Sequence, residues 1–593
     1  MTAEPTPRAV VAAAAVAPAT TAIRSPGLLA QLRQILGALY ASPLGKTLLS
    51  LAIGIVVVVA ATSYGQIRLN AWNKAFYDAL SRRDLKDFMF QLGVFALIAG
   101  VLLILNVGQR WLTETLKVRL REGLVSDLVG HWMVPRRAFW LAHAGEMGVN
   151  PDQRMTDDTM VLCNLSTDLA VGLLQATILF VSFAGILWVL SEDFSFRIGG
   201  ADYAVPGFML WAAVIYAGFG SLLSYFVGRS LIGRSSNRYA READLRFSLV
   251  RINEHLDGIS LASGEADERR RIESSLGDVI AAMRRLVRGW TNLTWVTAGF
   301  GWITIVAPIV VAAPLFFSGK LSFGGLMAAA AAFTQAQTSL RWFVDNFSII
   351  ADWRATLLRV AGFRQALTAN EKQLDFDSRI TYVEGAPGTL KIANLKIESP
   401  AGRDMLKEQD IVISAGERVL ITADAGTGKT LLFRALAALW PWGAGQVTSP
   451  AGEQIFYMPR GTPYLPSGTL REILAYPLQV SSFADASYAR SLQRLGLERL
   501  VSMLDSSRRW DRELSQDEQL SLAFARIVLQ APPWVLIDDA FGSLDDDVLA
   551  HVVDVFAKEL AHTGVIHIGG SVQGKEAMFS RVLHLVKTPA SAS

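Results

Sequence analysis

The 593-residue sequence predicts two bodies in one chain. The first is an α-helical membrane bundle of six transmembrane helices with long cytoplasmic extensions. The second is a soluble α/β domain with a P-loop for a nucleotide. Three observations predict this. Hydrophobic residues make up 51% and charged residues only 18%, with a mean hydropathy of +0.32, which is high for a water-soluble chain. Apolar residues before position 345 gather into runs of about 20, the length that crosses a bilayer. From about Asp375 onward, short β-branched runs alternate with helical ones around the stretch Ala423-Asp424-Ala425-Gly426-Thr427-Gly428-Lys429-Thr430. The net charge of +3 argues against nucleic acid as a partner. Cys163 is the single cysteine, which excludes an internal disulfide and a cysteine-rich metal site and reads as a packed thiol.

Taken in order, residues 1–27 are rich in Ala, Pro and Thr and read as a disordered tail. Alanine makes a poor core for a cleaved signal, and Pro5 and Pro7 interrupt its approach. Residues 28–44 carry apolar side chains at helical spacing and are expected to lie as an interfacial helix against the lipid bilayer. Spans are predicted at 46–65, 89–107, 169–190, 207–227, 293–317 and 321–343, within a transmembrane domain of 45–370. The sixth is rich in Ala and Gly and should pack closely against its neighbours. Residues 66–88 are polar and aromatic and are expected outside the cell membrane.

The stretches 109–168 and 229–290 are long and basic, with Arg110, Lys117, Arg119 and Arg121 in the first and Arg269, Arg270, Arg271, Arg284 and Arg285 in the second. Both follow even-numbered spans, as does the glycine-rich stretch. The excess of positive charge on cytoplasmic segments places all three, and the N-terminus, in the cytoplasm. A soluble sixth helix would strand the glycine-rich stretch outside, away from ATP. Apolar residues recur three or four apart at Leu245, Leu249, Ile252 and Leu256, and again at Ile272, Leu276, Ile280, Met283 and Leu286. The spans should therefore run on into the cytoplasm as helices. Their basic runs read as solvated faces, with anionic lipid the other reading.

Residues 371–588 form the nucleotide domain, with 589–593 a tail. Strands are predicted at 390–397, 411–413, 419–422, 454–458, 534–537, 564–568 and 582–586. The strand at 419–422 runs into the glycine loop, and a helix is expected at 431–440. Gly426 and Gly428 let backbone N–H groups face a polyphosphate, and the helix N-terminus adds partial positive charge. Lys429 can reach the β and γ phosphates and Thr430 can ligate Mg²⁺. Downstream, Trp534-Val535-Leu536-Ile537-Asp538-Asp539 is an apolar strand ending in two carboxylates. Asp538 is placed for the Mg²⁺ shell, and Asp539 where a general base belongs. Between them, Leu514-Ser515-Gln516-Asp517-Glu518-Gln519 opens a helix at 520–529, with Ser515 and Glu518 spaced as a capping box.

This order of phosphate loop, Leu-Ser-x-x-Glu segment, Asp strand and Ser543-Leu544-Asp545 resembles an ABC transporter nucleotide-binding domain. The membrane part narrows the resemblance. Asn70-Ala71-Trp72-Asn73-Lys74-Ala75-Phe76-Tyr77-Asp78-Ala79-Leu80, Asn150-Pro151-Asp152-Gln153-Arg154 and Glu242-Ala243-Asp244-Leu245-Arg246-Phe247 resemble the SbmA/BacA-like family. So do Pro463-Tyr464-Leu465-Pro466, Gly468-Thr469-Leu470-Arg471 and Leu439-Trp440-Pro441. That family is related to the peroxisomal fatty-acyl ABC transporters, and the similarity runs from about residue 45 to 588.

The resemblance implies a half-transporter that works as a homodimer in the bacterial inner membrane, with its nucleotide domain in the cytoplasm. Its ATP site is composite: Asp424, Ala425, Gly426, Thr427, Gly428, Lys429, Thr430 and Leu431 of one copy face Ser515, Asp517 and Glu518 of the other. Mg²⁺ falls to Thr430 and Asp538. Residues 150–158 and 258–267 are implied to meet the nucleotide domain at the cytoplasmic tips. Family cargoes include antimicrobial peptides, bleomycin, cobalamin and fatty-acyl compounds, and import is the usual direction.

Departures cluster at the catalytic positions. Ala423 replaces the first loop glycine, and Arg460 stands where the family has glutamine. Asp517 replaces the signature glycine and would repel phosphate. Asp539 replaces a glutamate and is shorter by one carbon–carbon bond, about 1.5 Å. Gly570 replaces the switch histidine, and His567 lies three residues earlier, in a strand. Each lost acid–base group costs about 10²–10⁴-fold. The expectation is Mg-ATP binding with slow hydrolysis, which leaves open whether this is a useful ATPase.

The leading reading is an importer of peptides or bulky amphipathic solutes. The alternatives are a proton-driven transporter gated by ATP, a non-hydrolysing half of a heterodimer and, remotely, an ATP sensor. The spans hold almost no acids for a proton path; Glu242 and Asp244 lie beyond the fourth. No aromatic stands between Glu398 and Gly416, leaving Met405 or the Arg403 stem to stack on adenine.

Overall fold

The structure is a computed structural model that describes residues 27–142, 150–191, 195–198, 201–368, 379–399, 402–423, 427–570 and 578–588. The expected tails at 1–26 and 589–593 lie outside the described residues. The chain divides into two compact units, meeting in sequence at residues 368 and 369.

The first unit is helical. Its elements are α1 (Leu28–Ala41), α2 (Gly45–Ser81), α3 (Leu85–Trp132), α4 (Arg137–Ala142), α5 (Pro151–Gln153), α6 (Thr159–Leu190), α7 (Phe208–Glu254), α8 (Leu256–Leu261), α9 (Glu265–Phe317), α10 (Phe323–Asp345) and α11 (Phe347–Thr368). A π-helical turn, Arg154–Asp158, joins α5 to α6, and a hairpin of β1 (Ser195–Ile198) and β2 (Ala201–Ala204) precedes α7. The spans do extend as long helices past any bilayer, as their apolar periodicity requires. Residues 66–81, expected only as an outside segment, continue α2 without a break; the chain turns at Arg82 to Asp84, where the Asp84 side chain caps α3.

Among the described residues, five helices are long and apolar enough to cross a membrane: α2, α3, α5 with α6, α7 and α9. The sixth predicted span, α10, is a helix of 23 residues but is less apolar than these. Its packing explains why. It touches α2, α6, α7 and α9, and Ala329, Ala332, Phe333 and Ala336 are fully buried. Small side chains let backbones approach, and a helix wrapped by protein has little lipid to face. At its start, Ser322 Oγ accepts from Gly325 N–H and donates to Asp78. Gly324 N–H donates to Asp78 Oδ1 at 2.8 Å. A β-carbon on Gly324 would collide with the Lys74 carbonyl oxygen.

A second cluster of this unit joins α1, α3, α6 and α11 through Leu39, Leu124, Leu128, Leu162, Leu357 and Leu367. Buried Asp158 is held there by Arg154 at 2.6 Å and Arg359 at 2.8 Å, and Arg364 pairs with Asp127 at 2.7 Å.

The second unit is α/β. Its strands are β3 (Thr381–Gly385), β4 (Thr389–Ser399), β5 (Gly402–Leu406), β6 (Asp410–Ser414), β7 (Arg418–Ala423), β8 (Gly443–Pro450), β9 (Ile455–Met458), β10 (Gly468–Thr469), β11 (Ser507–Arg508), β12 (Trp534–Asp538), β13 (Gly564–Ile568) and β14 (Arg581–Thr588). Its helices are α12 (Lys429–Leu436), α13 (Leu470–Ala475), α14 (Asp485–Arg494), α15 (Trp510–Glu513), α16 (Gln516–Gln530) and α17 (Asp546–Lys558).

The main sheet runs β3-β8-β4-β5-β14-β7-β13-β12-β9, with β6 on β4. The half from β14 to β9 is parallel, and β5, β4 and β6 are antiparallel. Strands β12 and β13 are buried along their whole length; β12 reads as an apolar run up to Ile537, while β13 carries His567 among its apolar residues. Helix α12 is shorter than the apolar pattern suggested. Ala438 turns left-handed, with φ 55°, and the N–H groups of Leu439 and Trp440 wrap back onto the Arg434 carbonyl. After Leu436, Ala437 and Ala438 are buried in that turn rather than in more helix, and Leu439 and Trp440 are half-buried beside it.

Candidate nucleotide site

Open parallel sheets bind ligands off the carboxyl ends of their strands. Of the residues singled out from the sequence, Lys429, Thr430, Leu431, Asp538 and Asp539 lie at that edge. Strand β7 ends at Ala423. Asp424, Ala425 and Gly426 lie outside the described residues, and Thr427 and Gly428 lead into α12, whose first residues are Lys429, Thr430 and Leu431. Gly428 is the N-cap and no side chain caps this helix. Its first N–H groups are the donors a phosphate would need.

Two strands away, β12 ends in Asp538. The residue is 1% exposed, and among the described residues neither carboxylate oxygen has a hydrogen-bond partner. Burial is the largest influence on this carboxyl and pushes its pKa up; the Asp539 charge adds to that, while Thr430, Arg460 and Arg434 oppose it. The Thr430 hydroxyl is thus near Asp538 without satisfying it. A buried carboxylate with two open oxygens beside a hydroxyl is an oxygen donor set that suits Mg²⁺. Thr430 and Asp538 would hold that ion, and Lys429 would face the phosphates; the bound ion would supply charge neutralisation at the β and γ oxygens.

Asp539 follows with φ 53°, the left-handed region. Its N–H donates to the Ile568 carbonyl at 2.9 Å, which locks it to the end of β13. Its carboxylate lies between two cationic or basic groups. Arg460 Nη2 is 3.9 Å from Oδ2. On the other side, a β-carbon on Gly569 would sit 2.7 Å from both Asp539 Oδ1 and His567 Nε2. His567 is in the strand, as expected, but its ring reaches the edge where Asp539 stands. It packs between Phe541 and Phe579, with Nδ1 unpaired among the described residues. Burial pushes its pKa down to about 4, so it is neutral at cytoplasmic pH.

The Leu-Ser segment opens α16 with both bonds of a capping box: Glu518 N–H to Ser515 Oγ at 3.2 Å and Ser515 N–H to Glu518 Oε2 at 3.0 Å. Arg499 pairs with Glu518 from outside. Glu518 is therefore committed within its own chain, while Ser515, Gln516 and Asp517 are exposed at the helix start.

One group escaped the sequence reading. Asp404, between the two adenine-stacking candidates Arg403 and Met405, is 3% exposed with Oδ1 unpaired among the described residues. Its Oδ2 lies 2.5 Å from where a β-carbon on Gly428 would be. An acid at an inward position of a strand was the available signal.

Two family descriptions match this chain: ABC transporter transmembrane region 2 over residues 36–317, and ABC transporter over residues 406–542. The chain is 27% identical over 528 residues to the inner membrane ABC transporter ATP-binding protein YddA of Escherichia coli, covering 88% of this chain and 91% of that one. It is 24% identical to the chloroplastic ABC transporter D family member 2 of Arabidopsis thaliana, covering 83% and 77%. Among solved structures it superposes on a bacterial Atm1-family ABC exporter with ATP bound, with a TM-score of 0.71 at 16% identity, over 91% of this chain and 94% of that one. At that identity the likeness concerns the fold.

Proposed function

From the premise that this chain is an ABC half-transporter, a membrane region fused to an ATP-binding domain and related to the D-family transporters, we propose that two copies form a homodimeric importer in a bacterial inner membrane. The cargo is a peptide or another bulky amphipathic or hydrophilic solute, as in the SbmA/BacA-like group. Lys429, Thr430 and Asp538 of one copy hold Mg-ATP against Ser515 of the other. One chain carries one of each half-site, so a second chain is required to close either.

The observation that carries the nucleotide reading is the buried Asp538 carboxylate, with neither oxygen hydrogen-bonded among the described residues and Thr430, which follows Lys429 at the start of α12, beside it. The chemistry of the other residues makes hydrolysis slow. Asp539 is short, and Asp517 brings negative charge to the face that must approach the γ-phosphate.

The test is ATPase and uptake by the purified protein alone in liposomes, with and without a pH gradient. Nucleotide binding that is lost in Lys429→Ala, slow turnover and ATP-dependent uptake support the proposal. Turnover at ordinary transporter rates removes the slow-hydrolysis reading. Uptake driven by the gradient and indifferent to ATP, or inactivity of the lone chain, removes the homodimeric ATP-driven reading.

A further inference from the structure

Strands β9 and β12 are parallel neighbours, with Met458 opposite Ile537. Arg460 stands two residues past Met458 and Asp539 two past Ile537, so the register carries them side by side off the edge that holds Lys429 and Thr430. The Arg460 Nη2 to Asp539 Oδ2 separation of 3.9 Å is long for an ion pair, and the arginine side chain is 65% exposed. It is not a packing residue. Its charge also bears on Asp538, which places the guanidinium near both carboxylates.

We propose that Arg460 is a phosphate-binding residue: it leaves Asp539 and takes the terminal phosphate of a bound nucleoside triphosphate. This rests on reading residues 427–430 and 538–539 as the nucleotide site. The site is rich in acid for a polyanion's pocket, with Asp538 and Asp539 on one edge. Beside Lys429 and the Mg²⁺ that Thr430 and Asp538 would hold, a triphosphate facing these acids has room for a further cation at its terminal group. A guanidinium offers a planar pair of donors matched to phosphate oxygens. An exposed ion pair at this distance contributes little to stability, so exchanging it for a more highly charged phosphate is favourable. The exchange also releases Asp539, which in the nucleotide-free protein faces the arginine. Because a diphosphate lacks the terminal group, Arg460 sets the preference for ATP over ADP.

The experiment is equilibrium binding of Mg²⁺ with a non-hydrolysable triphosphate analogue, and separately of ADP, to full-length protein in detergent. The variants are Arg460→Ala and Arg460→Lys, with thermal unfolding to check folding. Arg460→Ala should weaken the triphosphate by at least about tenfold, the loss of a hydrogen bond to a charged group, and leave ADP within about twofold. Arg460→Lys should recover part of the loss as a point charge. Unchanged or tighter triphosphate binding in Arg460→Ala, or equal losses for both nucleotides, overturns the proposal. If wild-type protein binds neither nucleotide, the site reading itself fails and this proposal fails with it.

Discussion

Replacing Asp538 by Asn should make the nucleotide-free protein more stable and at the same time blunt its response to Mg-nucleotide. Both carboxylate oxygens are buried and, among the described residues, unpaired. A buried polar group without a partner costs about 1–3 kcal/mol, and more when charged. Burial, the first cause, raises the folded-state pKa of this acid above its unfolded value. The sign follows by linkage: below the unfolded pKa there is no penalty, and it grows as pH rises toward the folded pKa and is complete above it. At neutral pH the asparagine variant carries no charge and escapes the ionisation part of this cost, while its amide remains buried, so it should gain about 1 kcal/mol. For a domain of this size each kcal/mol moves the melting temperature by about 2–4 °C. Wild-type protein at a hundredfold excess over Kd should gain about 2.7 kcal/mol from Mg-nucleotide, and the variant should lose most of that. Thermal unfolding with and without Mg²⁺ and nucleotide measures both. A variant that melts lower without nucleotide, or keeps the full Mg²⁺-dependent rise, would refute the claim that this carboxylate waits for a cation.

His567, neutral with a folded pKa near 4 against an ordinary 6.5, contributes stability that is complete above about 6.5 and lost as pH falls toward 4. Asp539 and Lys429 are the charges that bear on it. His567→Gln should therefore flatten the decline in melting temperature between pH 7 and 5 relative to wild type. Gly324→Ala should destabilise the membrane unit by about 1–3 kcal/mol, since its methyl meets the Lys74 carbonyl and Asp78. Gly93→Ala, whose methyl meets nothing within 4 Å among the described residues, should not lower the detergent melting temperature and should raise it slightly, because Ala favours the helix over Gly by about 1 kcal/mol. Asp158→Asn strands the charges of Arg154 and Arg359 in the α3–α6–α11 cluster. It should cost about 2–3 kcal/mol, below the full figure for a buried pair because both arginines are partly exposed; chemical denaturation of the purified protein reads it.

The parts of this molecule that were legible in the sequence are those set by local pattern. Long apolar runs gave the membrane helices away, and three-four spacing of Leu245, Leu249 and Ile252 extended them beyond the bilayer. The sixth predicted span, 321–343, is a helix at 323–345 that, unlike the other five, is not among those apolar enough to cross a membrane by length and composition. A helix covered by four others need not be as apolar as one bathed in lipid. Lys429, Thr430, Asp538 and Ser515 could be placed because a phosphate loop, a carboxylate-ended strand and a capping box each carry their spacing in a few consecutive residues.

What escaped was set by pairing across long separations. The neighbourhood of Arg460 and Asp539 comes from the register of β9 on β12. The reach of His567 to the sheet edge depends on Gly569 having no side chain, which strand alternation does not reveal. The end of α12 was misjudged because a buried turn and a buried helix show the same apolar residues.

The left-handed backbone at 539 constrains which side chains evolution or an engineer could install there. Asp, Asn and Gly visit that conformation at low cost because a short polar group can bond to its own main chain or because no β-carbon is present; a longer acid meets a penalty of about 1–2 kcal/mol. Lengthening the carboxylate to restore a more strongly placed base would thus work against the peptide twist before any gain in chemistry, unless the tether from residue 539 to Ile568 also let go. The short acid and the twist beneath it form a pair that is difficult to revise one change at a time.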